Sequence, residues 1–315
     1  MSAPVHTADR PVLGILLMLG FCALAPLADA VAKILGARMD LGLLVLIRFI
    51  AQLVILGPVV LFFGRMIWPR GRLFWLMALR TVFHIVGIGT MFVSLRYLPL
   101  ADAIAIAFVM PFILLILGHF LLGEVVGPRR IAACAVGFVG TMMVVQPSFV
   151  EVGWPALLPL IVAVDFALFI LVTRMVAKEI EPLTLQAVSG LMALALLVPL
   201  LLVTTAFDLP DLRLSLPAGA DLPLVVALGA LGTFGHLLMT WSLRFAPSVT
   251  LAPMQYLEIP FAALFGWLIF REFPNGLALL GICVTIGAGL YILVRERAVS
   301  RRSLQAPPAA PRAEG

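Results

Sequence analysis

The sequence predicts an all-α membrane protein of ten transmembrane helices, and three observations carry that prediction. Of 315 residues, 63% are hydrophobic and only 12% are charged, whereas a soluble surface carries roughly a quarter charged residues. A bilayer core of about 30 Å is crossed by about 20 residues of helix. Ten apolar stretches of that order follow one another, at 12–35, 42–63, 73–95, 100–122, 129–146, 154–176, 182–205, 222–244, 248–270 and 276–294. They are apolar nearly throughout rather than alternating, which excludes barrel strands and leaves helices as the spanning structure.

Taken in order, the first stretch follows Arg10 and carries an Ala28-Asp29-Ala30 string that imitates a cleavage site. Its length and the spans behind it predict a retained helix. Cys22, Cys134 and Cys283 all fall inside apolar stretches, so neither a disulfide framework nor a metal site is expected. Alternate connections hold most of the loop cations: Arg10, then Arg65, Arg70 and Arg72, then Arg129 and Arg130, then Arg174 and Lys178, then Arg244, then the tail from Arg295. The opposite connections hold Arg38, Arg96, Arg213 and Arg271, together with the acids Asp208, Asp211 and Asp221. The excess of cations on one side predicts cytoplasmic N- and C-termini. The formal charge of +5 is therefore sorted by membrane side, and no nucleic-acid partner is expected. Residues 296–315 have too little apolar content to pack and are expected to form a disordered cytoplasmic tail.

Ser94-Leu95-Arg96-Tyr97-Leu98-Pro99 recurs as Ser242-Leu243-Arg244-Phe245-Ala246-Pro247, a shift of 148 residues from Arg96 to Arg244. At the same shift Gly87 falls on Gly235, Met91 on Met239, Gly118 on Gly266 and Glu124 on Glu272, so spans three to five repeat as spans eight to ten. The first two spans match the sixth and seventh loosely, with Asp29 and Asp165 at similar depths. Five spans per half make the halves, 12–146 and 154–295, opposite in orientation. Inverted repeats suit a protein that presents one central site to either side in turn.

These features resemble the drug/metabolite transporter superfamily, EamA type, over residues 12–295. The residues that carry the resemblance are the Asp29 to Lys33 string, Arg48-Phe49, the Leu98-Pro99 turn, and Leu122-Gly123-Glu124 with its counterpart Phe270-Arg271-Glu272. The resemblance implies two inverted five-helix bundles, a cavity lined mainly by spans one, three, four, six, eight and nine, and alternating access. Arg271 departs from the small residue of the first half, which makes the two gates unlike. The string from Ala105 to Phe112 and its relative from Tyr256 to Pro260 are most similar, within the family, to those of riboflavin and S-adenosylmethionine importers; an amino-acid exporter remains an alternative.

A charge at bilayer mid-depth costs roughly 3 kcal/mol and needs a partner or a wet cavity. Glu258 and Asp165 are therefore candidates for proton coupling or solute contact, the alternative being a hydrogen bond to a neighbouring helix. Asp29 and Lys33 are spaced to pair on one face, with Arg48 at a similar depth, and are expected to form a gate or scaffold. Arg80 and His84, one turn apart, contact a polar or anionic solute, or else Arg80 snorkels about 10 Å toward the cytoplasm. His236 stands alone and serves either packing or a proton relay. Pro111 and Pro260 break corresponding helices near mid-span, where freed carbonyls are tolerated beside a cavity. Around them Phe108, Met110, Gln255 and Tyr256, with Trp241, offer an aromatic and thioether wall for a flat, partly apolar solute. Gly229, Gly232 and Gly235, and Gly137 and Gly140, allow close helix approach, with a monomer expected and a homodimer through these faces the alternative.

No Gly-x-x-x-x-Gly-Lys string is present to bind a nucleotide, and no His-Glu-x-x-His or Gly-x-Ser-x-Gly string to support a membrane enzyme. A secondary transporter of a small organic metabolite, with no cofactor, is the leading expectation. A non-transporting sensor and a membrane-embedded enzyme are the competing classes.

Overall fold

The computed structural model describes residues 10–64, 68–123, 126–145, 153–214 and 217–271, and then 276–277, 279–284, 286–288, 290–291 and 294. Among the described residues there is no strand. The helices are α1 (Pro11–Gly36), α2 (Leu41–Phe62), α3 (Arg72–Tyr97), α4 (Leu100–Ala107), α5 (Met110–Leu122), α6 (Pro128–Val145), α7 (Leu158–Ala177), α8 (Pro182–Ala206), α9 (Leu222–Phe245), α10 (Ser248–Gln255) and α11 (Glu258–Phe265), the last continued by a π-helical turn, Gly266–Phe270. The described residues between 276 and 291 are helical as well. Proline stands in the first turn of α1, α7, α8 and α9, where its fixed φ favours helix and its missing N–H is no loss.

Seven helical stretches are long and apolar enough to cross a membrane, with Leu100–Leu122 counted as one. Ile131–Gly140, Glu258–Phe270 and Leu279–Ala288 are shorter apolar helices. Large apolar side chains such as Val54, Phe62, Trp75, Phe120, Leu202 and Val226 point outward and exposed, as lipid-facing surfaces do. Of the tail expected to be disordered, 296–315, nothing lies within the described residues.

The two expected helix breaks are present, and they fall at repeat-equivalent places. α4 ends at Ala107 and α5 starts at Met110; α10 ends at Gln255 and α11 starts at Glu258, 148 residues on. Pro111 and Pro260 follow these breaks by one and two residues, and the N–H that each lacks would have bridged them. The terminations correspond too: Gly123 and Arg271 close the two broken helices in the left-handed region, at φ 64° and 62°.

The first two helices of each half correspond at a different shift. α1 ends at Gly36 and α7 at Ala177, and α2 starts at Leu41 after Asp40 as α8 starts at Pro182 after Glu181, a shift of 141 residues. This register pairs Lys33 with Arg174, and Leu24 rather than Asp29 with Asp165, which corrects the depth match expected between the two aspartates. Lys33 Nζ donates to the Leu98 carbonyl at 3.2 Å, and Arg174 donates to the Leu243 carbonyl. Each half thus carries a cation from its first helix to the C-terminal end of its third, where the helix dipole is negative. The two shifts differ by seven residues, and the extra residues lie in the α8–α9 connection, which holds Asp208, Asp211 and Asp221.

Packing follows the same exchange of halves. α1 packs on α9 as α7 packs on α3, and α2 lies on α9 as α8 lies on α3. α5 meets α10 and α4 meets α11, so the N-terminal part of each broken helix contacts the C-terminal part of the other and the two run antiparallel. α2 and α8 are also antiparallel: Gln52 Nε2 donates to the Gln186 carbonyl at 2.6 Å, while Gly42 abuts Leu201. At one end Arg96 pairs with Asp211 and Arg38 with Asp221, each at 2.7 Å. At the other, Arg72 pairs with Glu179 at 3.4 Å, Arg244 donates to the Ile180 carbonyl at 3.3 Å, and the Arg10 amide donates to the Phe245 carbonyl at 2.7 Å. Arg96 and Arg244 therefore lie at opposite ends of the bundle.

The glycine faces read as possible dimer contacts are used within the chain. A Cβ on Gly229 would meet Ala51, one on Gly232 would meet Arg48, one on Gly235 would meet Leu24, and one on Gly137 would meet the Tyr256 ring.

Candidate functional site

A cavity opens where the halves meet, with about 850 Å³ of space between atoms, its mouth included. Its walls come from α1 (Phe21, Asp29), α3 (Phe83 to Phe92), α4 and α5 (Ile104, Phe108, Met110), α7 (Val162, Phe166) and α9 (Leu231 to His236), with Arg48 of α2 and Glu258 of α11. These are the spans implied by the family resemblance, with the second added through Arg48. The α3 lining runs toward the end that carries Arg96, and the α7 lining sits near that helix's start, so the cavity occupies the half of the bundle nearer Arg96. Beyond it, toward Arg244, Met77, Val172, Val176, Ile180, Leu185 and Val188 form a buried apolar plug.

The polar groups gather on one side of the cavity. Arg48 Nη2 lies 3.2 Å from His236 Nδ1, which is also 3.1 Å from the Gly232 carbonyl. Arg48 is 4% exposed, and its Nη1 has no hydrogen-bond partner. The missing side chain of Gly232 provides the space for it: a Cβ there would coincide with the guanidinium. Asp29 lies within electrostatic reach of Arg48. Glu258, the first residue of α11, faces the cavity within reach of Asp29; a carboxylate at a helix start is favoured by the dipole. The His84 ring lies 4.4 Å from that of His236 and 4.7 Å from that of Phe169, and neither of its nitrogens has a partner. Phe21, Phe83, Phe92, Phe108 and Phe166 with Met91 and Met110 supply the apolar walls, a composition that suits a flat ligand oriented by few polar groups.

Of the residues singled out from the sequence, Phe108, Met110, His84, His236, Asp29, Arg48 and Glu258 meet in this cavity, so His236 stands beside Arg48 and His84 rather than alone. Arg80 lies just outside it: its Nε donates to Thr173 Oγ1 at 2.8 Å and its Nη1 to Ser189 Oγ at 3.0 Å, over the Phe169 ring. The reading of Arg80 as a snorkelling side chain is overturned, because the residue is 0% exposed. Trp241 is displaced from the expected site as well; it packs beside Leu56, Val60, Ala187 and Leu237. Tyr256 and Gln255 are fully buried at the helix break, with the Tyr256 ring against Phe108 at 5.5 Å, but they do not line the cavity. Asp165 faces Gly87 and borders a different, lipid-side groove with Phe83, Val86 and Leu168. Lys33 turns away from Asp29 to Leu98 and lies over the Phe270 ring at 4.9 Å. Pro111 and Pro260 shape the broken helices without lining the cavity.

Phe21, Phe83, Phe92 and Phe166 went unmarked in the sequence because an all-round apolar helix gives no stripe from which to read its rotation. His236 had a signal that was not used. The 148-residue shift lays Gly232 on His84, and His236 stands one turn from that glycine.

Residues 12–146 and 153–295 each match the EamA-like transporter family. The chain is 30% identical over 231 residues to the riboflavin transporter of Rhizobium johnstonii, covering 72% of this chain and 73% of the relative. It is 24% identical to the S-adenosylmethionine uptake transporter of Rickettsia prowazekii, over 85% and 88% of the two chains. It is 25% identical to the riboflavin transporter of Vibrio cholerae, over 93% and 97%. A solved crystal structure superposes with a TM-score of 0.68 at 20% identity, over 92% of this chain and 98% of the other, a likeness of fold alone.

Proposed function

Since the chain belongs to the EamA-like transporter family, we propose that it carries a flat, partly apolar metabolite such as riboflavin across the bacterial inner membrane by alternating access. It is a multi-pass membrane transporter and not an enzyme. In this reading ten spans form two inverted five-helix repeats, 12–146 and 154–295, with both termini cytoplasmic and the Arg96 end outside. The positive-inside distribution and the antiparallel run of equivalent helices support that topology. The observation that carries the function is the cavity at the seam, whose walls come from both halves and whose aromatic and methionine surface is met on one side by Arg48, His84, His236, Asp29 and Glu258. An aromatic ring system stacks on such walls, while guanidinium and carboxyl groups hold its hydrogen-bonding edge.

A second solute has a specific observation in its favour. Two carboxyl groups, Asp29 and Glu258, face the cavity, which suits a cationic solute such as S-adenosylmethionine; an amino acid moved outward is the further alternative. Glu258 is the first candidate for proton coupling and Asp165 the second, and the transporter acts as a monomer. Purified protein in liposomes, tested for riboflavin and S-adenosylmethionine uptake separately, decides among these. Saturable riboflavin uptake is the expected result. Uptake of S-adenosylmethionine alone transfers the assignment to the second solute, and vesicles that accumulate neither refute both.

A further inference from the structure

Arg80 carries a buried positive charge for which the transport cavity has no use in the conformation described. It is 0% exposed, and its hydrogen bonds go to the neutral hydroxyls of Thr173 and Ser189. Its Nη2 is buried without a partner, and among the described residues no carboxylate pairs with it. A cation buried at membrane depth without a counter-ion is costly, and such groups mark solute paths.

The repeat gives this charge a place. At the 141-residue shift Arg48 of α2 corresponds to Ser189 of α8, and at the 148-residue shift Gly232 of α9 corresponds to His84 of α3, one turn from Arg80. Arg48 fills the α2–α9 crossing by lying on Gly232 beside His236. Arg80 fills the equivalent α8–α3 crossing by reaching Ser189 beside His84. The two crossings are related by exchange of the halves, and each holds one guanidinium with one unpartnered nitrogen, Arg48 Nη1 or Arg80 Nη2. One arginine stands on the second helix of its half and the other on the third, so comparing the repeats residue by residue does not pair them. Only the first faces the cavity; the second is separated from it by His84 and Phe169, toward the apolar plug.

We propose that Arg80, Thr173 and Ser189 form a second solute subsite, the counterpart of the Arg48 subsite on the Arg244 side, for the same acceptor-rich edge of the solute: paired carbonyls, a carboxylate or a phosphate. The inference rests on the transport reading above. When the α3–α7–α8 packing parts and the Arg48 side closes, the hydrogen-bond acceptors that Arg48 held pass to Arg80, whose planar guanidinium takes two acceptors at once. Thr173 and Ser189 occupy the guanidinium until then, which limits the cost of its burial.

The test uses the full-length protein in liposomes with Ser189→Cys, a near-isosteric change, in place of the hydroxyl that Arg80 touches. A membrane-impermeant thiol reagent is applied from each side during turnover, and labelling is followed with and without saturating riboflavin or S-adenosylmethionine. The expected result is labelling from the Arg244 side only, slowed fivefold or more by whichever solute the wild type carries. That protection is lost in Ser189→Cys with Arg80→Gln and reduced but not abolished with Arg80→Lys, which keeps the charge without the two-acceptor fork. Protein that folds but is labelled from neither side, or from the Arg96 side, overturns the subsite. Labelling that the carried solute does not slow overturns it as well. Failure of the transport reading is seen separately, as wild-type vesicles that accumulate neither solute.

Discussion

Replacing Gly232 by alanine tests the cavity at its most confined point. The added Cβ would occupy the position of the Arg48 guanidinium. The obstruction is the far end of a flexible side chain, so the helices need not move, but Arg48 must. Its Nη2 then leaves His236 Nδ1, now 3.2 Å away, and the guanidinium leaves the cavity wall. A hydrogen bond made by a charged group is worth about 1.5–3 kcal/mol. At about 1.4 kcal/mol per tenfold, solute binding is expected to weaken by roughly 10- to 150-fold. Gly235→Ala is the matched control: it lies one turn on, lines the same cavity, and its Cβ would meet Leu24 and Phe21 at 3.6 and 3.8 Å, ordinary contact distances. Initial uptake rates of riboflavin across a concentration series, on protein matched for elution and thermal stability, give the half-saturation concentrations. A Gly232→Ala transporter within threefold of wild type would show that the placement of Arg48 does not matter to the solute, and the site assignment would fail with it.

Glu258→Gln should uncouple uptake from an imposed pH gradient while leaving solute exchange in place; a mutant that still responds fully to the gradient removes the residue from proton coupling. Trp241→Ala should lower thermal stability by about 1–3 kcal/mol, since it removes part of an aromatic contact with Leu237 and Leu56, and should leave half-saturation for the solute unchanged; a tenfold rise there would return Trp241 to the cavity. Gly137→Ala places a Cβ 2.6–2.9 Å from the Tyr256 ring, an overpacking cost of about 1–3 kcal/mol that should appear as a lower melting temperature in detergent. An unchanged melting temperature would mean that α6 and the broken helix part without strain.

Much of the architecture was legible because the repeat is written in particular residues. The Arg96 and Arg244 strings fixed a shift that the helix breaks and the closing Gly123 and Arg271 obey, while the prolines stand one residue off it, Pro111 falling on Ile259 beside Pro260. The first pair of helices was not legible at that shift, because the seven residues added before α9 put them in another register, where Lys33 with Arg174, Asp40 with Glu181 and the mid-helix Pro58 with Pro199 keep their character. Within the site, charge was a partial guide: Asp29, Arg48, His84 and Glu258 reach the cavity, where polar company in a membrane is found. The sequence points Asp29 and Arg48 to a gate or scaffold, however, and Arg80, Asp165 and Lys33 lie outside the cavity. Aromatic residues gave no such guide. Trp241 and Tyr256 are as much at home against other helices as against a solute, and their direction depends on helix rotation, which an unbroken apolar run leaves open. The four-residue spacing of Asp29 and Lys33 permits a pair, but the long lysine chain reaches the Leu98 carbonyl at the end of α3 instead.

The residues inserted between α8 and α9 have one more effect. They bring Asp211 and Asp221 to Arg96 and Arg38, so this end of the bundle is fastened by ionic clasps for which the exchanged half has no matching segment. Partly exposed pairs contribute about 0.2–1 kcal/mol each, enough for two of them to bias the resting population severalfold toward one facing direction. An otherwise interchangeable pair of halves thereby acquires a preferred idle posture, and concentrated salt, by screening two clasps at that end against the longer Arg72–Glu179 pair at the other, should relax the preference.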